Sequence, residues 1–385
     1  MMGDPDFALY VHVPWCRHVC PYCDFNVYAR RAVPDDDDAG ALGAELSAWA
    51  GFAPFAGAAV ASVFIGGGTP SLYAPATIDR LLGRVRACFA VAGDAEITLE
   101  ANPGTVDVET LRGYRAAGVT RLSLGVQSFD AATLRALGRD HGPDESRDAV
   151  AAARAAEFAN LSLDLVFAVP GQTVARWAAD LDAALALAPE HVSTYALTYE
   201  PGTPLHRWRE SGRVHAVDED DEAAMWDLAC ERLAAAGYDR YEISSHARPG
   251  FASRHNQRYW DGSSYLGIGP GAHSFAAEPL PGRRWENERD PALYRARVRD
   301  AGTAVAASED LSAARAESDF VMTGLRRTVG VDAGRFTGRF GRALDAAFPQ
   351  LALLESDGLV ERTDAGVRLS ERGLRFADSV WSRLL

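Results

Sequence analysis

Three cysteines fall within eight residues, Cys16-Arg17-His18-Val19-Cys20-Pro21-Tyr22-Cys23, and this CxxxCxxC spacing is where the chain could do chemistry. Thiolates set this close in sequence can hold three irons of a cubane four-iron four-sulfur cluster, leaving a fourth iron without a protein ligand and open to something else. A structural zinc site is the rival reading. Closed zinc sites ask for four ligands, usually as two CxxC or CxxH pairs, and the remaining cysteines, Cys88 and Cys230, stand alone in helix-like segments.

Other residue types with chemical meaning recur along the first half. Gly66-Gly67-Gly68-Thr69-Pro70 removes side chains where backbone has to approach a ligand and exposes N–H and C=O groups, although alone it reads equally as a tight turn. Glu100, in Glu100-Ala101-Asn102-Pro103, lies on an otherwise apolar strand and requires a partner, because an unpaired buried carboxylate is costly; an amino group or a ribose hydroxyl would supply one. Gln127 and Asp164 close two further apolar runs.

The elements that must position these residues alternate. Candidate strands are Leu9–Val13, Ser62–Ile65, Glu96–Ala101, Arg121–Val126, Leu161–Val166 and Val192–Leu197, with helices expected near Asp36–Gly51, Pro75–Phe89, Asp107–Ala117, Asp144–Ala156 and Val174–Leu187. That order predicts an α/β fold, a parallel sheet with crossover helices, and six such units suggest a barrel that does not close. In a barrel the C-terminal strand ends form the mouth, and every motif above falls at such an end.

The run Tyr10-Val11-His12-Val13-Pro14-Trp15-Cys16, followed by Cys20-Pro21-Tyr22-Cys23-Asp24-Phe25-Asn26, resembles the radical S-adenosylmethionine (SAM) superfamily. The branch it is similar to contains the oxygen-independent coproporphyrinogen III oxidases and the HemW-like haem chaperones, and the resemblance covers nearly the whole chain. It implies a partial (β/α)6 TIM barrel, a 4Fe-4S cluster on Cys16, Cys20 and Cys23, and SAM chelated through its amino and carboxylate groups to the open iron, where an electron from the cluster cleaves it to methionine and a 5'-deoxyadenosyl radical. It also implies that Tyr10, Gly67, Gly68, Thr69, Glu100, Gln127, Arg139 and Asp164 match SAM-contacting positions. Tyr22 and Phe25 flank the cluster cysteines and are read as packing on cluster or adenine. His12 is read as a donor behind the site or as a core histidine.

The branch is chosen on three points. The oxidases carry a fourth cysteine two residues after the third, where this chain has Phe25, and a long segment ahead of the cluster motif, whereas here the first strand is expected within about ten residues of the first Met. The third point is His255-Asn256-Gln257-Arg258-Tyr259-Trp260, an HNxxYW motif typical of the haem chaperones. By that resemblance His255 binds haem; imidazole is a common axial ligand, and Tyr259 and Trp260 offer flat apolar surface to the macrocycle. The same aromatics would equally anchor a second domain on the barrel.

Composition bounds the rest. The 385 residues suggest a large barrel with an appendage: a core over 1–240, a connecting segment with the HNxxYW motif over 241–310, and a smaller α+β, winged-helix-like domain over 311–385. That domain is expected as helices near Ser318–Arg327, Val331–Phe340 and Leu344–Glu355, a hairpin of Leu359–Thr363 with Val367–Leu369, and a final helix. All 39 basic residues are Arg, so Lys-based Schiff bases and Walker-type phosphate lysines are excluded. A formal charge of −14 argues against nucleic acid as a partner. The acidic runs Asp35–Asp38 and Asp218–Glu222 read as solvated loops or helix starts. No apolar run approaches a membrane span and five cysteines make no disulfide framework, so a cytoplasmic protein with at most peripheral membrane contact is expected. The sequence thus points to a chaperone binding a cluster, SAM and haem, with respiratory-chain haemoproteins as acceptors. The alternative is coproporphyrinogen III oxidation. A DNA-binding regulator would rest on the C-terminal helices alone.

Overall fold

The computed structural model describes residues 6–384. Six apolar runs become successive strands, β1 (Asp6–Val13), β2 (Ala59–Gly67), β3 (Ala90–Ala101), β4 (Arg121–Gln127), β5 (Leu161–Phe167) and β6 (His191–Ala196). Each crossover carries a helix: α1 (Asp35–Trp49), α2 (Pro75–Cys88), α3 (Val108–Ala117), α4 (Pro143–Ala155) and α5 (Val174–Ala186). The strands pair parallel in chain order. Helices cover one face and the barrel interior the other, so both faces of each strand are buried and the runs read as nearly continuous apolar sequence. On β1, Phe7, Leu9, Val11 and Val13 join Leu42 and Leu46 of α1 in the main core.

After β6 the chain runs through α6 (Glu219–Ala235) to the short strands β7 (Asp239–Arg240) and β8 (Ser245–Ala247), then α7 (Arg254–Trp260). Asp218 caps α6, and its acidic run fills the first turn, where the helix dipole favours it. The stretch 241–310, expected as a connector, extends the same sheet. It supplies β9 (Tyr265–Ile268), β10 (His273–Ala276), β11 (Arg283–Asn287) and β12 (Val305–Asp310). Among the described residues the sheet order is β12-β11-β10-β9-β1-β2-β3-β4-β5-β6-β8-β7, open at both edges. β9 lies parallel to β1, with Leu266 and Ile268 fully buried, so the Leu266–Ser274 stretch is strand and turn.

The C-terminal part has its own core, including Val321, Leu325, Phe336, Leu351, Leu354 and Val367. Its helices α8 (Ala313–Leu325) and α9 (Ala333–Phe340) pack with a three-stranded antiparallel sheet of β13 (Val331–Asp332), β14 (Val360–Arg362) and β15 (Gly366–Leu369). The single helix expected over Leu344–Glu355 is two pieces, Leu344–Ala347 and Leu351–Ser356, because Pro349 lacks the N–H and crowds the preceding turn.

Candidate functional site

β1 runs directly into the cysteine loop. Trp15 and Cys16 pair with Tyr28 and Ala29, closing residues 17–27 into a loop with a fixed base. The buried Trp15 donates its indole N–H to Asp38, which also accepts from Tyr73 Oη at 2.9 Å and from Arg295 Nη1 at 2.8 Å. The Asp35–Asp38 run is therefore not wholly solvated: its last carboxylate is buried by the need to satisfy an indole, a phenol and a guanidinium.

The three cysteines line one cavity of about 420 Å³ with Tyr22, Phe25, Gly67, Gly68, Thr69, Glu100, Gln127, Arg139 and Asp164. Cys20 is buried and the other two half-buried. Thr69 Oγ1 donates to Cys16 Sγ at 3.5 Å, and Arg139 Nη1 to Cys20 Sγ at 3.6 Å. Arg139 is held by Asn102 Oδ1 at 2.7 Å and Gly125 O at 3.0 Å, while its buried Nε has no partner among the described residues. Burial raises the Cys16 thiol and pushes Cys23 up to about 11, so in the metal-free protein both stay protonated, and metal binding displaces the protons.

The glycine ledge is as much a packing requirement as an opening for ligand. Gly67 has φ +110°, and a Cβ there would come within 2.6 Å of the His12 ring. A Cβ on Gly68 would meet the Trp15 carbonyl at 2.5 Å, since Gly68 N and Thr69 N donate to Val13 O and Trp15 O, each at 2.7 Å. Gly67 N donates to Glu100 Oε2 at 3.1 Å. Burial, aggravated by nearby Asp164, pushes Glu100 up to about 8. Asp164, also raised by burial, accepts from Ser123 Oγ at 3.0 Å. Gln127 has φ +66° at an irregularity in the β4–β5 register, a conformation that a non-glycine residue holds at a cost of about 1–2 kcal/mol.

Two expected residues stand apart. Tyr10 is not in the cavity lining; its hydroxyl meets His12 Nδ1 at 2.9 Å, and His12 Nε2 meets Asn26 O at 2.8 Å, so this pair braces the cysteine loop from within the barrel. The second is His255, expected as a haem ligand. It is 0% exposed, with Nδ1 against Ser62 Oγ at 3.0 Å and Nε2 against Tyr259 Oη at 2.8 Å, so neither nitrogen is free for iron. Trp260 instead stacks under Arg326 at 4.6 Å, and Arg326 pairs with the buried Glu242 at 2.9 Å. The HNxxYW helix plugs the barrel and seats the C-terminal part on it.

Asn102, Ser123, Gly125 and Tyr195 also line the cavity, unassigned from sequence. Asn102 and Gly125 lie two positions from Glu100 and Gln127, but Ser123 pairs with Glu100 and Tyr195 with Val166, a relation visible only once the strand register is known.

Among the described residues no three His, Cys, Asp or Glu side chains converge on a point that one ion could fill. A cubane asks for a different arrangement, one thiolate per iron around a rim, and the cysteines, the polar ledge and the orphaned Arg139 Nε fit a cluster with a polar ligand beside it. A partial parallel barrel with this loop at its mouth is the architecture of a radical SAM protein. Residues 10–184 match the sequence profile of the Radical SAM superfamily and residues 311–376 that of the HemN C-terminal domain. A radical SAM domain implies a 4Fe-4S cluster and SAM.

The chain is 37% identical over 386 residues to the Escherichia coli K12 protein named heme chaperone HemW, covering 99% of this chain and 98% of that one. Its identity to the Bacillus subtilis protein of the same name is 33% over 380 residues, covering 98% and 99%. The chain belongs to the HemW family. Among solved structures, coproporphyrinogen III oxidase (HemN) from Escherichia coli superposes with a TM-score of 0.85 at 24% identity, covering 99% of this chain and 90% of that one, which shows a shared fold.

Proposed function

We propose that this chain is a haem chaperone that holds a 4Fe-4S cluster on Cys16, Cys20 and Cys23, binds SAM in the same cavity, and passes haem to respiratory haemoproteins from the cytoplasm. The observation that carries this reading is the end-to-end likeness to proteins named heme chaperone HemW. Phe25 supports it: a phenyl ring, 66% exposed on the cavity wall, occupies the position where the oxidases carry a further cysteine. When bound, cluster and SAM supply a reductively generated carbon radical.

In this reading Thr69 and Arg139 place positive dipole and charge on the Cys16 and Cys20 sulfurs, as suits thiolates in a low-dielectric site. Glu100 and Asp164 accept from amino and hydroxyl groups of SAM, Gln127 and Gly68 add polar contacts, and Tyr22 packs beside the cluster. The haem ligand we assign is His273 on β10, whose side chain is 65% exposed, in place of the enclosed His255.

The test is anaerobic reconstitution followed by parallel assays of haem binding and of coproporphyrinogen III decarboxylation with SAM and a reductant. The expected result is a Soret band without turnover. Robust protoporphyrinogen formation would overturn the chaperone reading, as would failure to bind haem.

A further inference from the structure

Barrel strands turn alternate side chains inward. Ser123 and Glu100 line the cavity and pair across β4 and β3, so Arg121 and Thr98, two residues earlier and likewise paired, face the interior one layer deeper. Arg121 is 2% exposed. Among the described residues its buried Nε has no partner and no ion pair includes it. A buried guanidinium left like this is costly unless a field of opposite charge reaches it.

The groups around it narrow the source of that field. His191 has Nδ1 at 2.8 Å from Ser162 Oγ and Nε2 at 2.8 Å from Tyr241 Oη, and His255 is engaged in the same way by Ser62 and Tyr259. Burial, with the charge of Arg121 added, holds both imidazoles well below their ordinary range, His255 at about 3, so both are neutral. Tyr241 is held above the phenol range by burial and stays neutral as well. Glu96, two positions before Thr98 on β3, lies on the side away from the cavity and accepts the His255 backbone N–H at 3.0 Å, and Glu242 pairs with Arg326 at 2.9 Å. The interior carboxyls that line the cavity above Arg121 are those of Glu100 and Asp164, and both feel its charge.

We propose that Arg121 is a positioning residue: it is the interior cation that limits how far burial suppresses the ionisation of Glu100 and Asp164, and so keeps them available as acceptors for a cationic ligand, acting across one layer of the barrel and not by contact. The inference rests on reading the cavity as the SAM site. Two buried carboxylates in one cavity resist ionising together, and a fixed cation beneath them offsets that resistance while leaving their oxygens free to face the ligand.

The experiment uses the full chain with Arg121→Met, which fills similar volume without charge, and Arg121→Lys. Arg121→Gln replaces the Met variant should that one not fold. SAM binding to reconstituted protein is measured by equilibrium dialysis from about pH 6 to 9, and thermal unfolding of metal-free protein over the same range. Arg121→Met should weaken SAM binding about tenfold near neutral pH, with affinity recovering as pH rises and the midpoint of the profile displaced upward by about one unit. Arg121→Lys should keep both profiles near those of the unmodified protein. Without ligand, the Tm deficit of Arg121→Met should grow with pH, because the folded state then carries ionised carboxylates without their cation. A uniform loss of affinity at every pH, or unchanged profiles, would overturn the proposal. If the unmodified protein binds no SAM, the cavity reading fails, while the Tm profiles still decide the role of Arg121.

Discussion

Gly67 donates its backbone N–H to Glu100 Oε2 at 3.1 Å while its Cα rests against the His12 ring, so the ledge at the cavity mouth is held between a carboxylate on β3 and an imidazole on β1. His12 in turn holds Asn26, three residues past Cys23, through its other nitrogen. Ledge and cysteine loop therefore share one support, and a change in either is felt by the other.

A side chain on the ledge should act through that support. Gly67→Val brings a β-branched residue to φ +110° and against His12, and Gly68→Ala puts a methyl on the Trp15 carbonyl. Each should cost on the order of 1–3 kcal/mol in chemical denaturation. Gly68→Ala should also lower iron content on reconstitution, because Trp15 precedes Cys16. Undiminished stability in both variants would show the ledge to be loosely packed.

For the cluster, replacing Cys16, Cys20 or Cys23 by Ala should each remove most of about four irons and four sulfides per chain. Cys88→Ala and Cys230→Ala should retain them. Cys230 accepts from Arg240 at 3.1 Å, remote from the cavity lining. A Cys20→Ala variant holding a full complement of iron would remove the ligand assignment.

Glu100 sets a pH dependence with a definite sign. Its carboxyl is pushed from 4.5 to about 8 by burial first, and by Asp164. Between those values the folded protein binds a proton that the unfolded chain has released, so stability falls as pH rises, by at most about 1.4 kcal/mol per unit. Glu100→Gln cannot ionise. Its stability relative to the unmodified protein should be small near about pH 4, climb to about pH 8 and then level off. Its SAM affinity should be lower and lose its rise with pH. Urea titrations across this range, parallel for the two proteins, would contradict the assignment of Glu100.

The six barrel strands were legible because each is apolar on both faces, and the same property hid what lies between them. An interior position on such a strand carries no period that separates it from a helix-facing one, so Arg121 reads from sequence as a strand start and Tyr195 as ordinary strand content. Asp38 was hidden differently. Its partners Trp15, Tyr73 and Arg295 come from three distant segments, and nothing local distinguishes it from the solvated Asp36. Motifs were legible where chemistry and chain proximity coincide, as with the three cysteines. They say less where function is inferred from one side chain, as with His255, whose environment is made by β2 and by its own helix.

His255 separates structure from haem binding. It fills a closed site, and His255→Ala would leave Ser62 Oγ and Tyr259 Oη without their partner in addition to a cavity. The expected cost is on the order of 3–5 kcal/mol, read from chemical denaturation. Haem added to the folded fraction should give an unchanged Soret band. His255→Gln, which retains a donor and an acceptor, should recover part of the stability and give the same spectrum. His273→Ala removes an exposed imidazole, 3.5 Å from Glu286, and should scarcely alter stability while shifting or abolishing the band. A band lost in His255→Gln at full folding, and kept in His273→Ala, would require the helix Arg254–Trp260 to swing out of the barrel when haem binds.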